Sequence, residues 1–273
     1  MSRDAKVVIL GCGYTGKRVA ARFLQRGASV LATARDPASL HDLARQGAGV
    51  LMLDAEAAGE IAIPRGALVL HSIPVIDSPA GPREVTAQLI SRFTEEPGRL
   101  VYLSTTGVYG AQRDVDENTQ PAPATEREAL RLAAEEAVQR GHWRSLVLRP
   151  AAIYGPGRGV HVAMLAGRFR LAGQGDNFVS RIHVEDLAAH VEAALLSDVK
   201  GAYPAGDDLP CTSLEIAEFC SRLLHVPMPP AVPREALPET RRADRRVDGR
   251  AIRALLGIEL RYPTYREGIP ASI

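Results

Sequence analysis

A glycine-rich turn near the start of the chain, set between a short apolar run and an amphipathic stretch, restricts the fold more than any other feature. Residues 7–10 read as a buried strand, Gly11-Cys-Gly-Tyr-Thr-Gly16 follows directly, and residues 16–25 have helical periodicity. A strand, a tight turn and a helix in this order present free backbone N–H groups at a helix N-terminus, where an anion is stabilised. The pattern therefore predicts a diphosphate on this turn, and with it a dinucleotide cofactor.

The chain as far as Pro150 alternates short apolar runs with longer amphipathic stretches, as parallel strands joined by crossover helices do. The prediction is an α/β fold: a doubly wound parallel sheet (Rossmann) with a smaller C-terminal substrate-binding cap. Residues 1–157 are assigned to the dinucleotide-binding domain, with 181–206 returning to it, and residues 158–180 and 207–273 to the cap. Strands are predicted at 7–10, 29–33, 49–53, 67–71, 99–104, 145–148 and 201–205, and helices at 16–25, 83–95, 124–140 and 184–196.

The composition of the chain limits the classes of molecule that it is expected to bind. A formal net charge of +1 gives no field that would concentrate nucleic acid or an anionic membrane, so a small-molecule substrate is expected. Three cysteines cannot all pair, and the apolar run at 7–10 is too short for a signal segment or a membrane span, which favours the cytoplasm. No metal site is predicted, because no His, Cys or carboxylate residues recur at ligand spacing.

The end of the second predicted strand reads Thr33-Ala-Arg35-Asp36. An acidic residue here would hold the ribose 2′-hydroxyl of NAD, whereas an arginine suits the 2′-phosphate of NADP. Arg35 favours NADP, and Arg18 could provide a second contact with the phosphate. Asp36 keeps NAD as an alternative cofactor, and Arg35 could instead be a solvated surface charge. The predicted cofactor-binding residues are Gly11, Gly13, Tyr14, Thr15, Gly16, Thr33, Arg35, Asp54, His71, Ser72, Ile73 and Pro150.

Together with the glycine turn, the segment Leu103-Ser-Thr-Thr-Gly-Val-Tyr-Gly110 resembles the extended short-chain dehydrogenase/reductase family, which includes nucleotide-sugar epimerases and dehydratases. Residues 148–157 (LRPAAIYGPG) and 181–187 (RIHVEDL) fit the same family in the same order. The resemblance implies that a hydroxyl in the first segment, here Thr105, hydrogen-bonds the substrate oxygen, with Ser104 as the second candidate. The alternative is that these hydroxyls cap the turn after the strand.

The family's Tyr-x-x-x-Lys pair, its usual acid/base tyrosine and supporting lysine, is missing. Alignment on residues 132–135 puts Arg127 at the tyrosine position and Arg131 at the lysine position. An arginine stays protonated and cannot shuttle a proton, although Arg131 could still reach the nicotinamide ribose as a fixed cation. The alternative is a solvated arginine pair, and the departure itself resembles the family's atypical branch. No tyrosine stands four residues before any of the lysines, which are Lys6, Lys17 and Lys200.

These observations lead to two hypotheses. The first is an NAD(P)-dependent oxidoreductase or epimerase-like enzyme acting on an alcohol or carbonyl, a sugar-nucleotide-like substrate among them, with Tyr109 and Tyr154 as substitute proton donors or, alternatively, packing residues. The second is a non-catalytic NAD(P)-binding sensor or scaffold. The resemblance also implies a homodimer through the helices at 83–95 and 124–140. A C-terminal cluster either holds a phosphorylated substrate or forms a solvated helix face; its arginines are Arg241, Arg242, Arg245, Arg246, Arg250 and Arg253.

Overall fold

The structure is a computed structural model that describes residues 6–238 and 242–273, so Arg241 of the predicted cluster lies outside the described residues. Its helices are α1 (Tyr14–Gln25), α2 (His41–Arg45), α3 (Thr86–Ile90), α4 (Glu126–Gln139), α5 (Val160–Leu165), α6 (Val184–Leu196), α7 (Ser213–Leu224), α8 (Arg250–Leu256) and α9 (Tyr265–Gly268). Its strands are β1 (Lys6–Leu10), β2 (Ser29–Ala34), β3 (Gly49–Met52), β4 (Leu68–His71), β5 (Ile76–Ser78), β6 (Gly81–Arg83), β7 (Arg99–Leu103), β8 (Asp114–Val115), β9 (Arg144–Pro150), β10 (Ala152–Tyr154), β11 (Leu171–Ala172), β12 (Phe178–Val179), β13 (Arg181–His183), β14 (Gly201–Ala205), β15 (Cys211–Thr212), β16 (Ala231–Val232) and β17 (Arg246–Val247).

Seven parallel strands form the central sheet, in the order β14-β9-β7-β4-β1-β2-β3. The strand order reverses between β1 and β4, so the loops that leave their carboxyl ends diverge and open a crevice at that edge. The predicted α/β fold with a parallel sheet is confirmed. The crevice is where a dinucleotide would lie, because the glycine turn follows β1 directly.

Two apolar layers cover the sheet. Helices α1 and α6 bury one face through side chains such as Val19, Phe23 and Leu187, and α3 and α4 bury the other through Leu89 and Val138. The sheet strands are rich in Val, Ile and Leu and are covered on both faces, which explains their nearly continuous apolar runs. The crossover helices therefore leave only the strand ends open for a site.

The helix predicted at 83–95 is wrong in extent, because only Thr86–Ile90 is helical. Gly81–Arg83 forms a strand that pairs with Ile76–Ser78, and both carboxylate oxygens of Glu84 accept from the Thr86 amide, so the helix begins after the hairpin. Beyond Ile90 the chain leaves the helix to pair with Ile61 through the Thr94 amide. Long-range pairing therefore overrides the local helical pattern at both ends.

The later part of the chain adds a second, smaller core beside the sheet. Tyr154, Met164, Leu171, Ile216 and Tyr265 pack together in it, and β10 and β13 pair in parallel at its border with the sheet. No helix within the described ranges is long and apolar enough to cross a bilayer. The chain enters this second core directly after β9, through β10.

Candidate active site

The three glycines of the turn do different work. Gly11 has φ +79°, and a Cβ there would lie 2.7 Å from Cγ1 of Ile73, while a Cβ on Gly16 would lie 3.2 Å from Cγ2 of Ile9. The fold itself therefore requires Gly11 and favours Gly16. Gly13 differs, because its φ of −88° is outside the left-handed region and the nearest atom to a Cβ there, the Gly11 oxygen, is 3.9 Å away. The glycine at position 13 is explained by space kept open in front of the turn.

Helix α1 begins on this turn with unsatisfied donors. Gly13 is its N-cap, no side chain caps it, and no acidic residue lies in its first turn. Within the described residues the amides of Tyr14, Thr15 and Gly16 have no acceptor, whereas Lys17 is the first to bond back, to the Gly13 oxygen. Open amides at a positive helix end, with a bare glycine beside them, fit a diphosphate.

Two residues predicted to bind the cofactor hold the turn in place through their hydroxyls. The Thr33 hydroxyl accepts from the Gly11 amide and donates to the Ile9 oxygen, both at 3.2 Å, and the Ser72 hydroxyl donates to the Gly11 oxygen at 2.7 Å. Burial raises the pKa of the Cys12 thiol to about 12, so this residue packs as a small neutral side chain. The turn is thus fixed from β1, β2 and β4 before any ligand arrives.

The charged residues at the adenosine end are arranged as follows. Arg35 is exposed just beyond β2, and Oδ1 of Asp36 accepts from the Ala38 amide at 2.9 Å as the cap of a 3₁₀ turn. Asp54 is exposed beyond β3, where its Oδ1 accepts from the Glu56 amide. Arg18 is committed elsewhere, since its Nε lies 2.8 Å from Oε1 of Glu185 on α6. Of the two predicted arginines, Arg35 is therefore the one without a side-chain partner among the described residues.

The floor of the crevice is built by the end of β4. His71 is fully buried, its Nε2 lies 2.8 Å from the Thr86 hydroxyl, and burial, with Arg131 nearby, lowers its pKa to about 3. Ser72 and Ile73 follow at the strand end, and Pro150 ends β9 at the same edge of the sheet. His71 is neutral at working pH and supports the floor from beneath.

The two predicted catalytic hydroxyls have different surroundings. Thr105 caps a 3₁₀ turn (Thr106–Tyr109) by accepting from the Gly107 amide at 3.1 Å, and no described residue accepts its own proton. Ser104, next to it, donates its proton to the Glu135 carboxylate. Thr105 does cap the turn, as the alternative interpretation had it, yet its O–H remains free to donate to a substrate oxygen.

A buried polar network lies behind Ser104 and went unnoticed in the sequence. Arg149 on β9 donates from Nη2 to Oε2 of Glu135 at 2.7 Å and from Nε to both Glu135 oxygens at 3.1 Å, while its Nη1 donates to the Tyr109 hydroxyl at 3.0 Å. All four side chains are at most 8% exposed. The available signal was a glutamate on the apolar face of α4, at a position whose neighbours Ala134 and Val138 are core residues.

The two arginines that align with the family's Tyr-x-x-x-Lys pair have different surroundings in the structure. Arg131 is buried, and its Nη1 donates to the Tyr102 hydroxyl at 2.5 Å and to the Ile73 oxygen at 3.4 Å. Arg127 pairs with Asp77 and donates from Nη2 to the Val75 oxygen at 3.0 Å. A solvated pair is therefore the wrong description of Arg131, which lies against the floor loop that the cofactor would contact.

Both tyrosines considered as proton donors are buried. Tyr109 is fully buried, and its hydroxyl accepts from Arg149. Tyr154 is buried in the cap core, where its hydroxyl donates to the Thr264 oxygen at 3.3 Å. Burial raises the pKa of both hydroxyls, which favours the packing alternative for Tyr109, whereas Tyr154 also borders a cavity of the later part of the chain.

The C-terminal arginines do not form one solvated helix face. Arg245 is buried and donates to three backbone oxygens of the loop after Thr105, those of Thr106, Gly110 and Gln112. Arg246 starts β17, while Arg250 and Arg253 lie on α8 with carboxylate partners. Arg245 thus fastens the cap segment to the loop that carries the candidate hydroxyl.

A cavity of about 290 Å³ lies in the later part of the chain, and its lining residues fall between Ala152 and Ile269. Ala152, two residues beyond Pro150, is one of them, and the walls are largely apolar. Arg158, Arg170 and Arg181 are the charged residues that line it. Its place beside the strand ends makes it a candidate substrate pocket.

Comparisons with known proteins agree with this geometry. Residues 83–206 match the model of the NAD dependent epimerase/dehydratase family. A curated Streptomyces protein, 3-diazoavenalumate denitrifying reductase, is 28% identical over an alignment of 205 residues that covers 70% of this chain and 65% of that protein. The chain therefore spans slightly less than two thirds of the length of this curated relative.

Solved structures match along nearly the whole chain. A functionally unknown conserved protein from Silicibacter pomeroyi is 29% identical with a TM-score of 0.81, and the match covers 98% of this chain and 97% of that one. MoeE5 in complex with UDP-glucose and NAD is 19% identical with a TM-score of 0.80 and the same coverage. The family resemblance drawn from the sequence is confirmed.

Proposed function

We propose that this chain, a member of the NAD-dependent epimerase/dehydratase family by its match over residues 83–206, is an NAD(P)-dependent oxidoreductase or epimerase-like enzyme. Its substrate is an alcohol or carbonyl compound bound between the sheet and the cap. The observation that carries the proposal is Gly13, an exposed glycine with open space in front of it, beside three amides without acceptors in the described structure. A diphosphate approaching the backbone is the reason for a glycine there.

The residues of the chain divide the work as follows. The bound nicotinamide supplies the hydride chemistry. The glycine turn binds the diphosphate, and Gly11, Gly13, Tyr14, Thr15 and Gly16 are its proposed contacts. Thr105 donates its free O–H to the substrate oxygen. Ser104 and the floor residues His71, Ser72 and Ile73 shape the site, and Arg131 adds a fixed positive charge beneath the nicotinamide ribose.

Arg35 sets the proposed preference for NADP. It is the available cation beyond β2, while Asp36 is turned toward its own 3₁₀ cap. Fluorescence titration should show NADPH binding at least about tenfold tighter than NADH, a difference of about 1.4 kcal/mol. Arg35→Gln should weaken the binding of NADPH and leave the affinity for NADH unchanged. Equal losses of affinity for both cofactors would contradict this assignment.

A pair of glycine variants tests cofactor binding. In Gly13→Ala the new methyl meets no protein atom closer than 3.9 Å but occupies the diphosphate space, so NADPH affinity should fall at least about tenfold (about 1.4 kcal/mol) while the melting temperature stays within a few degrees. Gly59→Ala is the matched control, since its Cβ meets nothing within 4 Å and it lies away from the turn. Native NADPH affinity in Gly13→Ala would refute the proposed cofactor site.

A non-catalytic NAD(P)-binding sensor is the second candidate, because Tyr-x-x-x-Lys is missing and both Tyr109 and Tyr154 are buried. A measurement of turnover distinguishes the enzyme from the sensor. The enzyme should oxidise NADPH with a carbonyl panel and lose at least about tenfold (about 1.4 kcal/mol) in kcat on Thr105→Val, with cofactor affinity unchanged. Tight cofactor binding without turnover on any carbonyl would favour the sensor. The reductase named among the relatives supports the enzyme.

The wider assignments are also proposals. The cofactor domain comprises residues 1–157 and 181–206, and the cap comprises 158–180 and 207–273. All three cysteines are free and buried, which supports a cytoplasmic location. A homodimer would use α3 and α4, and light scattering of the purified chain measures its mass directly.

A further inference from the structure

Arg181 is a buried cation on the wall of the cap cavity. It lies on β13, is 5% exposed, and lines the cavity of about 290 Å³ together with Ala152. Its Nη1 donates to the Val179 oxygen at 2.7 Å and to the Cys211 sulfur at 3.0 Å. Its Nε and Nη2 have no acceptor among the described residues, so two donors of the guanidinium fork remain uncommitted.

The charge of Arg181 is not balanced by an ion pair. No carboxylate of the described chain lies within 4.0 Å of its guanidinium, although buried charges in proteins are normally paired. Asp207 is the nearby acid, and burial raises its pKa to about 8 in spite of Arg181, so this carboxyl is mostly protonated at neutral pH. Oδ2 of Asp207 also lacks a described partner. An anion from outside the chain would balance Arg181.

The walls and the volume of the cavity limit the polarity and the size of the molecule that carries the anion. Phe169, Val160, Ile216, Ile269 and Leu237 give it apolar walls. Its volume of about 290 Å³ is at the small end of the roughly 300–1,000 Å³ usual for ligand pockets, enough for a molecule of about one substituted ring. Of the other lining arginines, Arg170 donates from Nη1 to the Gly167 and Phe169 oxygens, and Arg158 is exposed with its guanidinium 5.3 Å from the Tyr14 ring centroid.

We propose that the cavity binds a small organic acid whose carboxylate pairs with Arg181 and whose apolar body fills the walls. A planar guanidinium fork matches a carboxylate with two parallel hydrogen bonds. A single buried charge suits a monoanion better than a phosphate dianion, which would leave one negative charge unbalanced. That this acid is also the substrate rests on the function proposed above, whereas its binding does not.

The test compares an acid with its neutral isostere. Calorimetry with 3-phenylpropanoate and 3-phenylpropanamide, on protein saturated with NADPH, should give an acid that binds at least tenfold tighter than the amide. Arg181→Met should abolish that preference, and Arg181→Lys should keep part of it, because an ammonium retains the charge without the fork. Arg140→Gln, at an exposed arginine on the far end of α4, is the control and should behave as the native protein.

The outcomes separate the two proposals. Equal binding of acid and amide, no binding of either, or an undiminished preference in Arg181→Met would overturn the organic-acid site, and tighter binding of phenyl phosphate than of the acid would overturn the choice of a carboxylate. If Arg181→Met does not fold, the acid and amide series on native and Arg181→Lys protein decides alone. A chain that binds the acid but not NADPH would keep this site and end the proposed oxidoreductase function.

Discussion

Substituting Glu135 by glutamine should destabilise the fold far more than its position on a helix suggests. Arg149 donates three hydrogen bonds to this carboxylate and Ser104 a fourth, with all three side chains buried. The amide keeps the size of the side chain but removes the negative charge and turns an NH₂ group toward the donors of Arg149. Breaking a buried ion pair from one side typically costs about 3–5 kcal/mol.

The measurement is urea unfolding followed by circular dichroism. A loss of about 3–5 kcal/mol should appear as a lower midpoint at unchanged slope, and the melting temperature should fall by roughly 10 °C. Glu136→Gln is the matched control one residue along α4, where the carboxylate is exposed and lies 3.6 Å from Arg140. An exposed pair of this kind contributes about 0.5 kcal/mol or less.

A double variant shows whether the charge pair itself is responsible. Glu135→Leu combined with Arg149→Met removes both charges, so it should be more stable than either single variant. If Glu135→Gln unfolds within about 1 kcal/mol of Glu136→Gln, Arg149 does not depend on this carboxylate and the reasoning is refuted.

Three further predictions concern the turn, the cap and pH. Gly11→Ala should cost about 1–3 kcal/mol in urea unfolding, because its Cβ would lie 2.7 Å from Ile73 at a φ of +79°, and a cost no larger than that of Gly13→Ala would contradict this. Arg245→Met should cost about 2–5 kcal/mol by leaving three loop oxygens without donors, and limited proteolysis should then cut within residues 106–112, whereas a native cleavage pattern would count against the contact. The pKa of His71 is lowered in the folded protein to about 3, so the neutral ring is favoured and its stabilisation is complete above about pH 6.5 and lost as the pH falls toward 3. The melting temperature should therefore fall between pH 7 and 4 with a contribution of up to about 1.4 kcal/mol per pH unit from His71, and an unchanged slope in His71→Asn would argue against it.

Local patterns carried most of the fold prediction. The apolar strand, glycine turn and helix at the start of the chain are continuous in sequence, and Gly16 packs against Ile9, only seven residues before it. The strand at 201–205 was also predicted from its own residues and forms the sheet edge. Parallel strands buried on both faces leave a sequence signal that needs no knowledge of partners.

The features that were missed depend on residues distant in sequence. Glu135 and Arg149 meet only because α4 packs over β9, and Arg245 reaches the loop after Thr105 across more than 130 positions. A charged residue looks solvated when only its neighbours in sequence are considered, so both contacts appeared as surface features. The helix at 83–95 failed for the same reason, since Ile61 pairs with the segment beyond Ile90.

The contact made by Arg245 can form only late in the synthesis of the chain. The segment that it holds, residues 106–112, leaves the ribosome long before position 245 is translated, and the sheet strands β1 to β9 are complete by then. A nascent chain can therefore assemble its central sheet while this segment still lacks its anchor. The loop after Thr105 would reach its final contacts only when the last part of the polypeptide docks.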